Sequence, residues 1–76
     1  MKYSNGSQVT GIYCNVKIEG TITENRLNYR SYKSHITVKL NHPVMVYGTE
    51  REYVTFDSVD EKTGCDLATD SANYLD

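Results

Sequence analysis

The residues with the clearest capacity for chemistry lie between Arg26 and His35. This stretch contains three permanent positive charges, one histidine, two tyrosines and no acidic residue. Guanidinium groups bind phosphate through paired hydrogen bonds, ammonium groups attract it as point charges, and tyrosine rings stack on bases. The pattern predicts a binding site for an anionic ligand, either a nucleotide or a nucleic acid. The predicted contacts are Arg26, Tyr29, Arg30, Tyr32, Lys33 and His35.

The same stretch also has a purely structural interpretation. Basic side chains on an edge strand discourage sheets from aggregating edge to edge, so residues 26–35 are equally understood as the solvated face of such a strand. No recognition motif accompanies them, such as the aromatic signature of RNA-binding sheets. The pattern alone leaves both interpretations open.

Other residue groupings give little support for catalysis. Glu50 and Glu52 share one face of a predicted strand, where pairing with basic residues across the sheet is the expected role. His35 and His42 are seven residues apart, and neither a metal-site spacing nor a phosphate-binding glycine loop occurs. Sixteen Val, Ile, Leu and Phe residues are few for enclosing a catalytic pocket. We therefore predict a non-enzymatic protein without cofactor or metal.

The second functional hypothesis is a protein–protein interaction module, such as a small inhibitor of the kind viruses encode to block host machinery. The chain has seven tyrosines and no tryptophan. Exposed tyrosines suit interfaces because they bring a large contact area at low entropic cost. Tyr13 is the expected interface residue, whereas Tyr47 and Tyr53 are expected to pair across a hairpin. A structural subunit of a larger assembly is a third possibility.

Size and composition set the class of protein. Seventy-six residues with a net charge of −2 make one small domain. Because its core is lean, we expect a homo-oligomer or a partner-bound state. The absence of a long apolar run and of a signal-peptide core predicts a cytoplasmic chain without a membrane partner. Cys14 and Cys65 are then expected to be thiols.

The elements that must position these residues are predicted to be strands. Twenty-seven residues are Val, Ile, Thr, Tyr or Phe, the types that favour sheets. Apolar residues alternate from Ile12 to Ile22, which predicts one long strand, bent at Gly20 and with Cys14 in the core. A turn is predicted at residues 24–25. A second strand, or two short ones, follows over residues 26–40, with a phase break between about residues 30 and 35.

Two further features complete the predicted strand order. Asn41-His42-Pro43 is expected to end the second strand. Residues 44–47 and 51–56 then form a hairpin around a type II′ turn at Gly48-Thr49. The prediction is an all-β, mainly antiparallel fold: a small coiled meander of four to five strands, or an SH3-like or OB-like barrel, in residues 1–56.

Residues 57–76 differ in character from the rest of the chain. They carry six acidic residues against one lysine. They are predicted to pack on or flank the same domain, and Asp66 is a candidate cap for a short helix. This acidic segment has three interpretations: a solubilising terminus, a strap that folds back on residues 26–35 and screens them, or an imitation of the phosphate backbone.

Overall fold

The computed structural model describes residues 3–69 and 72–76. Its strands are β1 (Gln8–Tyr13), β2 (Val16–Asn28), β3 (Lys33–Val46), β4 (Thr49–Asp60) and β5 (Tyr74–Leu75). All neighbours pair antiparallel in the order β4-β3-β2-β1-β5. The predicted all-β, antiparallel fold is confirmed. Over the described residues, no helix has the length and apolar character needed to cross a membrane.

Alternating apolar side chains from every strand meet in one core. Its members are Val9, Ile18, Ile22, Ile36, Val38, Leu40, Val54, Phe56, Val59 and Leu75, joined by Tyr3 from the N-terminal segment. Burying each of the larger side chains contributes about 1.5–3 kcal/mol. Gly20 lies where β2 and β3 approach closely, because a Cβ there would lie 2.2 Å from the Lys39 carbonyl oxygen. Only glycine fits this crossing without moving the backbone.

The predicted single strand from Ile12 to Ile22 is wrong, because the chain reverses at Cys14 and Asn15. Both residues have positive φ (50° and 65°), as a two-residue type I′ turn requires. Tyr13 pairs with Val16 across this turn, so odd residues of β1 face the same side as even residues of β2. The apolar Ile12 and Cys14 only appeared to continue the alternation of β2. Cys14 is therefore a half-buried turn residue and not a core residue.

Tyr13 consequently lies on the inner side of its strand. Its ring packs edge-on against Phe56, with centroids 5.4 Å apart and an interplanar angle of 76°. Burial raises the pKa of the Tyr13 hydroxyl above its ordinary value of 10.0. The predicted placement of Tyr13 on the polar face of one long first strand is therefore wrong.

The turn predicted at residues 24–25 is also wrong. Glu24 and Asn25 lie inside β2, where a register shift between Ile22 and Glu24 marks a bulge at Thr23. Residues 26–28 therefore belong to β2 and not to the following strand. The phase break predicted near residues 30–35 corresponds to the connection between β2 and β3, which occupies residues 29–32.

The β3–β4 hairpin exists, but three of its predicted details are wrong. Asn41-His42-Pro43 does not end the strand, because β3 continues to Val46 through a register shift between Lys39 and Val44. Pro43 sits in this irregular stretch, where it interrupts no ladder pair. The turn is Tyr47-Gly48, with φ of 49° and 77°, which is type I′ and not II′. Tyr53 pairs with Lys39, so the expected Tyr47–Tyr53 pair does not form.

The acidic segment joins the two outer strands of the sheet. Val59 of β4 pairs with Asp66, and Cys65 pairs with Tyr74 of β5. The Leu75 N–H also donates to the Gly64 carbonyl oxygen at 2.8 Å. The five strands form one open sheet whose outer strands are connected by these isolated bridges, and β4 runs across the boundary predicted at residue 56. The short helix predicted from Asp66 is absent from the described part of this segment.

Candidate functional site

Residues 29–32 form the loop that joins β2 to β3, here called the tip loop. Asn28 stabilises this loop through both its backbone carbonyl and its side-chain amide oxygen. The Tyr32 N–H donates to the Asn28 carbonyl oxygen at 2.7 Å, and the Arg30 N–H donates to Asn28 Oδ1 at 3.0 Å. Tyr32 has a φ of 54°, in the left-handed region that favours Gly or Asn. The tip loop is thus a defined turn with a strained residue at its end.

The tip loop presents two aromatic side chains and one cation to solvent. Tyr29 is 79% exposed and Tyr32 is 72% exposed. Arg30 lies between them, is exposed, and makes no ion pair with any acidic residue in the described chain. Three of the six predicted contacts therefore lie together at one end of the sheet.

The other three predicted contacts are engaged with acidic side chains. Arg26 pairs with Glu24 of its own strand. Lys33 Nζ lies 3.0 Å from Asp60 Oδ2, and His35 Nδ1 lies 3.3 Å from Asp57 Oδ1. Glu24 and Asp60 thus offset the permanent positive charges of Arg26 and Lys33. The structure therefore divides the predicted site into a free tip and a charge-paired flank.

The partners of the flank come mainly from β4, beyond the reach of local pattern reasoning. Lys33 and Asp60 are 27 residues apart in the chain. These are the contacts expected if the acidic segment folds back on residues 26–35, one of its three predicted alternatives. The Lys62 backbone N–H and then the Lys33 ammonium group lower the pKa of Asp60 below its ordinary value of 3.8.

A second exposed surface lies at the far end of β3 and was not predicted as a site. We call residues 44–53, beyond the irregular stretch of β3, the distal arm. Met45 is 59% exposed and Tyr47 is 85% exposed. Glu50 pairs directly with Met45, so the two side chains project to the same face, and Glu52 follows on that face. Tyr47, which precedes Gly48 in the turn, is the residue whose type could have indicated this surface from the sequence.

Features that catalysis or metal binding would need are sparse among the described residues. No three His, Cys, Asp or Glu side chains converge there to hold a metal ion. Cys14 and Cys65 are both free thiols. An open depression of about 240 Å³ lies between β2 and the irregular stretch of β3, lined by Lys17, Ile18, Glu19, His42 and Val44.

Comparison with known proteins adds no relative from which a role could be transferred. Searches against protein-family models, curated proteins and solved structures find no significant match. The function of this chain is therefore inferred from its own surfaces.

Proposed function

We propose that this protein is a non-enzymatic recognition domain that binds another protein through its tip loop. The observation that carries the proposal is the exposed Tyr29-Arg30-Ser31-Tyr32 turn, with two tyrosines more than 70% exposed around an arginine that pairs with no acidic residue of the described chain. Tyrosine and arginine dominate the energetically important positions of protein interfaces.

The shape of the tip loop supports this role. Its hydrogen bonds to Asn28 order the turn in the free protein, which lowers the entropic cost of binding. Tyrosine adds contact area with only two rotatable side-chain bonds, so little further freedom is lost. A preorganised turn bearing large side chains is suited to binding another protein.

Tyr32 brings no visible benefit to folding. Its side chain is 72% exposed, and its left-handed backbone costs on the order of 1 kcal/mol, which Asn or Gly would avoid. An aromatic residue at a position where stability favours a small one is best explained by a contact outside the chain. Backbone strain of this kind is concentrated at functional sites.

The charge distribution favours a protein partner over a nucleic acid. Lys33, His35 and Arg26 each face a carboxylate, so a phosphate approaching the predicted contacts would meet three acidic groups and a single unpaired cation. Nucleic-acid binding depends on several unpaired Lys or Arg residues, each of which steepens the salt dependence. Arg30 is the one cation among the six predicted contacts that is both exposed and unpaired within the described chain.

Site-specific photocrosslinking tests the proposal. A photoreactive phenylalanine analogue that replaces Tyr29 should form covalent adducts with a partner protein. These adducts should resist nuclease treatment, and they should be lost when Tyr32→Ala and Arg30→Ala are introduced into the same chain. The same analogue at Thr10, an exposed residue of β1, is the matched control. Equal adducts at both positions would contradict the proposal. Adducts sensitive to nuclease would instead favour the nucleic-acid interpretation.

A further inference from the structure

We infer that the tip loop of one molecule docks on the distal arm of a second copy, so that molecules associate head to tail. The inference rests on the proposed function, because it requires the tip loop to bind protein. It names the partner surface as residues 44–53 of an identical chain.

The two surfaces are far apart in one molecule and can be engaged at the same time. The tip loop precedes β3, and the Tyr47-Gly48 turn follows it, so the strand of 14 residues separates them. The molecule is elongated, with a longest dimension of 35 Å. One copy therefore offers a tip at one end and an arm at the other.

The distal arm carries the opposite charge to the tip. Glu50 and Glu52 are exposed on one face, and neither forms an ion pair with a basic residue of the described chain. Met45 shares that face, and Tyr47 stands at its end. Two free carboxylates beside an exposed methionine and tyrosine complement a free guanidinium flanked by two tyrosines.

Each type of side chain has a suitable counterpart. The Arg30 guanidinium can pair with the Glu50 or Glu52 carboxylate. Hydrogen bonds between these charged groups are roughly twice as strong as those between neutral groups. The rings of Tyr29 and Tyr32 can pack on Met45, since thioethers make favourable contacts with aromatic rings. The contact thus combines charge with apolar burial.

The charges also select the geometry of assembly. Two tips facing each other would bring Arg30 against Arg30, and two arms would bring glutamates together. Only a tip against an arm opposes unlike charges. In the head-to-tail arrangement each contact is heterologous and leaves one tip and one arm of the pair free, so it builds chains or rings.

Analytical ultracentrifugation of the full chain tests the inference. We expect the wild type to form species larger than the 8.6 kDa monomer as its concentration rises. Arg30→Glu gives the tip loop a negative charge, so it no longer complements the distal arm. The double variant Glu50→Arg/Glu52→Arg gives the distal arm a positive charge, so it no longer complements the tip loop. Each variant alone should sediment as a monomer at concentrations where the wild type associates.

The mixture of these two variants is the decisive measurement. The first variant has an acidic tip and an acidic arm, and the second has a basic tip and a basic arm. Each variant can therefore pair only with the other, and an equimolar mixture should form species larger than the monomer although neither variant does so alone. The triple variant carrying all three changes should associate again, because both partners have exchanged their charges. Lys17→Glu, an exposed change on β2, is the control and should associate like the wild type.

Several outcomes would overturn the inference. A wild type that stays monomeric at millimolar concentration overturns head-to-tail association. If Tyr29 still forms nuclease-resistant crosslinks in that case, the proposed binding of another protein by the tip loop stands. Association that survives Arg30→Glu, or a mixture that does not pair, also overturns the inference. Circular dichroism verifies folding, and a variant that misfolds is replaced by Arg30→Gln or Glu52→Gln, each expected to weaken association at least threefold.

Discussion

Individual acidic side chains serve two different purposes in this small protein. Asp66 is buried, and its carboxylate accepts hydrogen bonds from the backbone N–H groups of Asp57, Ser58 and Ala68 at 3.3, 3.3 and 2.9 Å. Asp60 instead lies at the surface, where it pairs with Lys33. The first acid shapes the backbone, and the second sets the charge near the tip loop.

Removing the Asp66 carboxylate should destabilise the fold. Asp66→Ala leaves three partly buried backbone donors without their acceptor, and we expect a loss of about 2–4 kcal/mol in the free energy of unfolding. Urea denaturation measures this loss. Asp57→Ala, which removes one exposed partner of His35, is the control and should cost below about 1 kcal/mol. Equal losses in the two variants would refute the assigned role of Asp66.

Asp60 makes stability depend on acid pH. Its folded-state pKa lies below the ordinary value of 3.8, so the unfolded chain takes up the proton more readily. This contribution is present above the unfolded pKa and is lost as the pH falls through the folded value. We expect Asp60→Asn to show a shallower decline in unfolding free energy between about pH 5 and pH 2. Parallel declines in the two proteins would contradict this prediction.

At the level of elements, the tight turns determine how strands meet. The turns at Cys14-Asn15 and Tyr47-Gly48 both place residues in the left-handed region, as type I′ hairpins require. Asn-Gly is the favoured pair for such a turn, yet this chain has Cys and Tyr at the first positions. The Tyr47 turn is the more informative, because its aromatic side chain is 85% exposed.

Tyr47→Asn should separate stability from association. Asparagine tolerates the left-handed backbone better than tyrosine, so we expect about 0.5–1 kcal/mol of added stability in thermal or urea unfolding. The same variant loses an aromatic group of the distal arm and should weaken head-to-tail association. Tyr47→Phe is the control and should leave stability unchanged. A less stable Tyr47→Asn protein would show that the side chain supports the hairpin itself.

For the whole molecule, the C-terminal residues complete the core. Leu75 is 1% exposed, and its carbonyl oxygen accepts a hydrogen bond from the Tyr3 hydroxyl at 3.0 Å. The Asp76 N–H donates to the Thr10 carbonyl oxygen at 2.7 Å. These contacts tie the N-terminal segment to β5 and the residue after β5 to β1.

Leu75→Ala should therefore destabilise the entire domain. We expect a loss of about 2–4 kcal/mol, which is typical of truncating a buried leucine. Denaturant unfolding followed by near-ultraviolet circular dichroism reports it through the packed tyrosines. Leu67→Ala is a matched control, since Leu67 is 56% exposed and its loss should change stability little. A Leu75→Ala protein as stable as this control would mean that β5 is not needed for folding.

Local chemistry was enough to predict the fold class and to select the residues of the proposed tip-loop site. The excess of β-branched and aromatic residues predicted an all-β protein, and the hairpin around Gly48 was predicted within one residue of its turn. Charge and composition selected residues 26–35, and Tyr29, Arg30 and Tyr32 are indeed exposed there. These features depend on properties of neighbouring residues, which the amino-acid order alone specifies.

Contacts between distant residues were decided only by the tertiary structure. The reversal at Cys14 cannot be seen in the sequence, because apolar residues alternate from Ile12 to Ile22. One continuous strand and two strands joined by a two-residue turn both fit that alternation, and they differ only in which side of the sheet each residue faces. The pairing of Lys33 with Asp60 and of His35 with Asp57 depends on β4 lying beside β3. The β conformation of Tyr74 and Leu75 depends on β1 as a partner, because so short a segment has no hydrogen-bonding partner of its own. Strand neighbours are set by the register of the whole sheet, and no local pattern encodes that register.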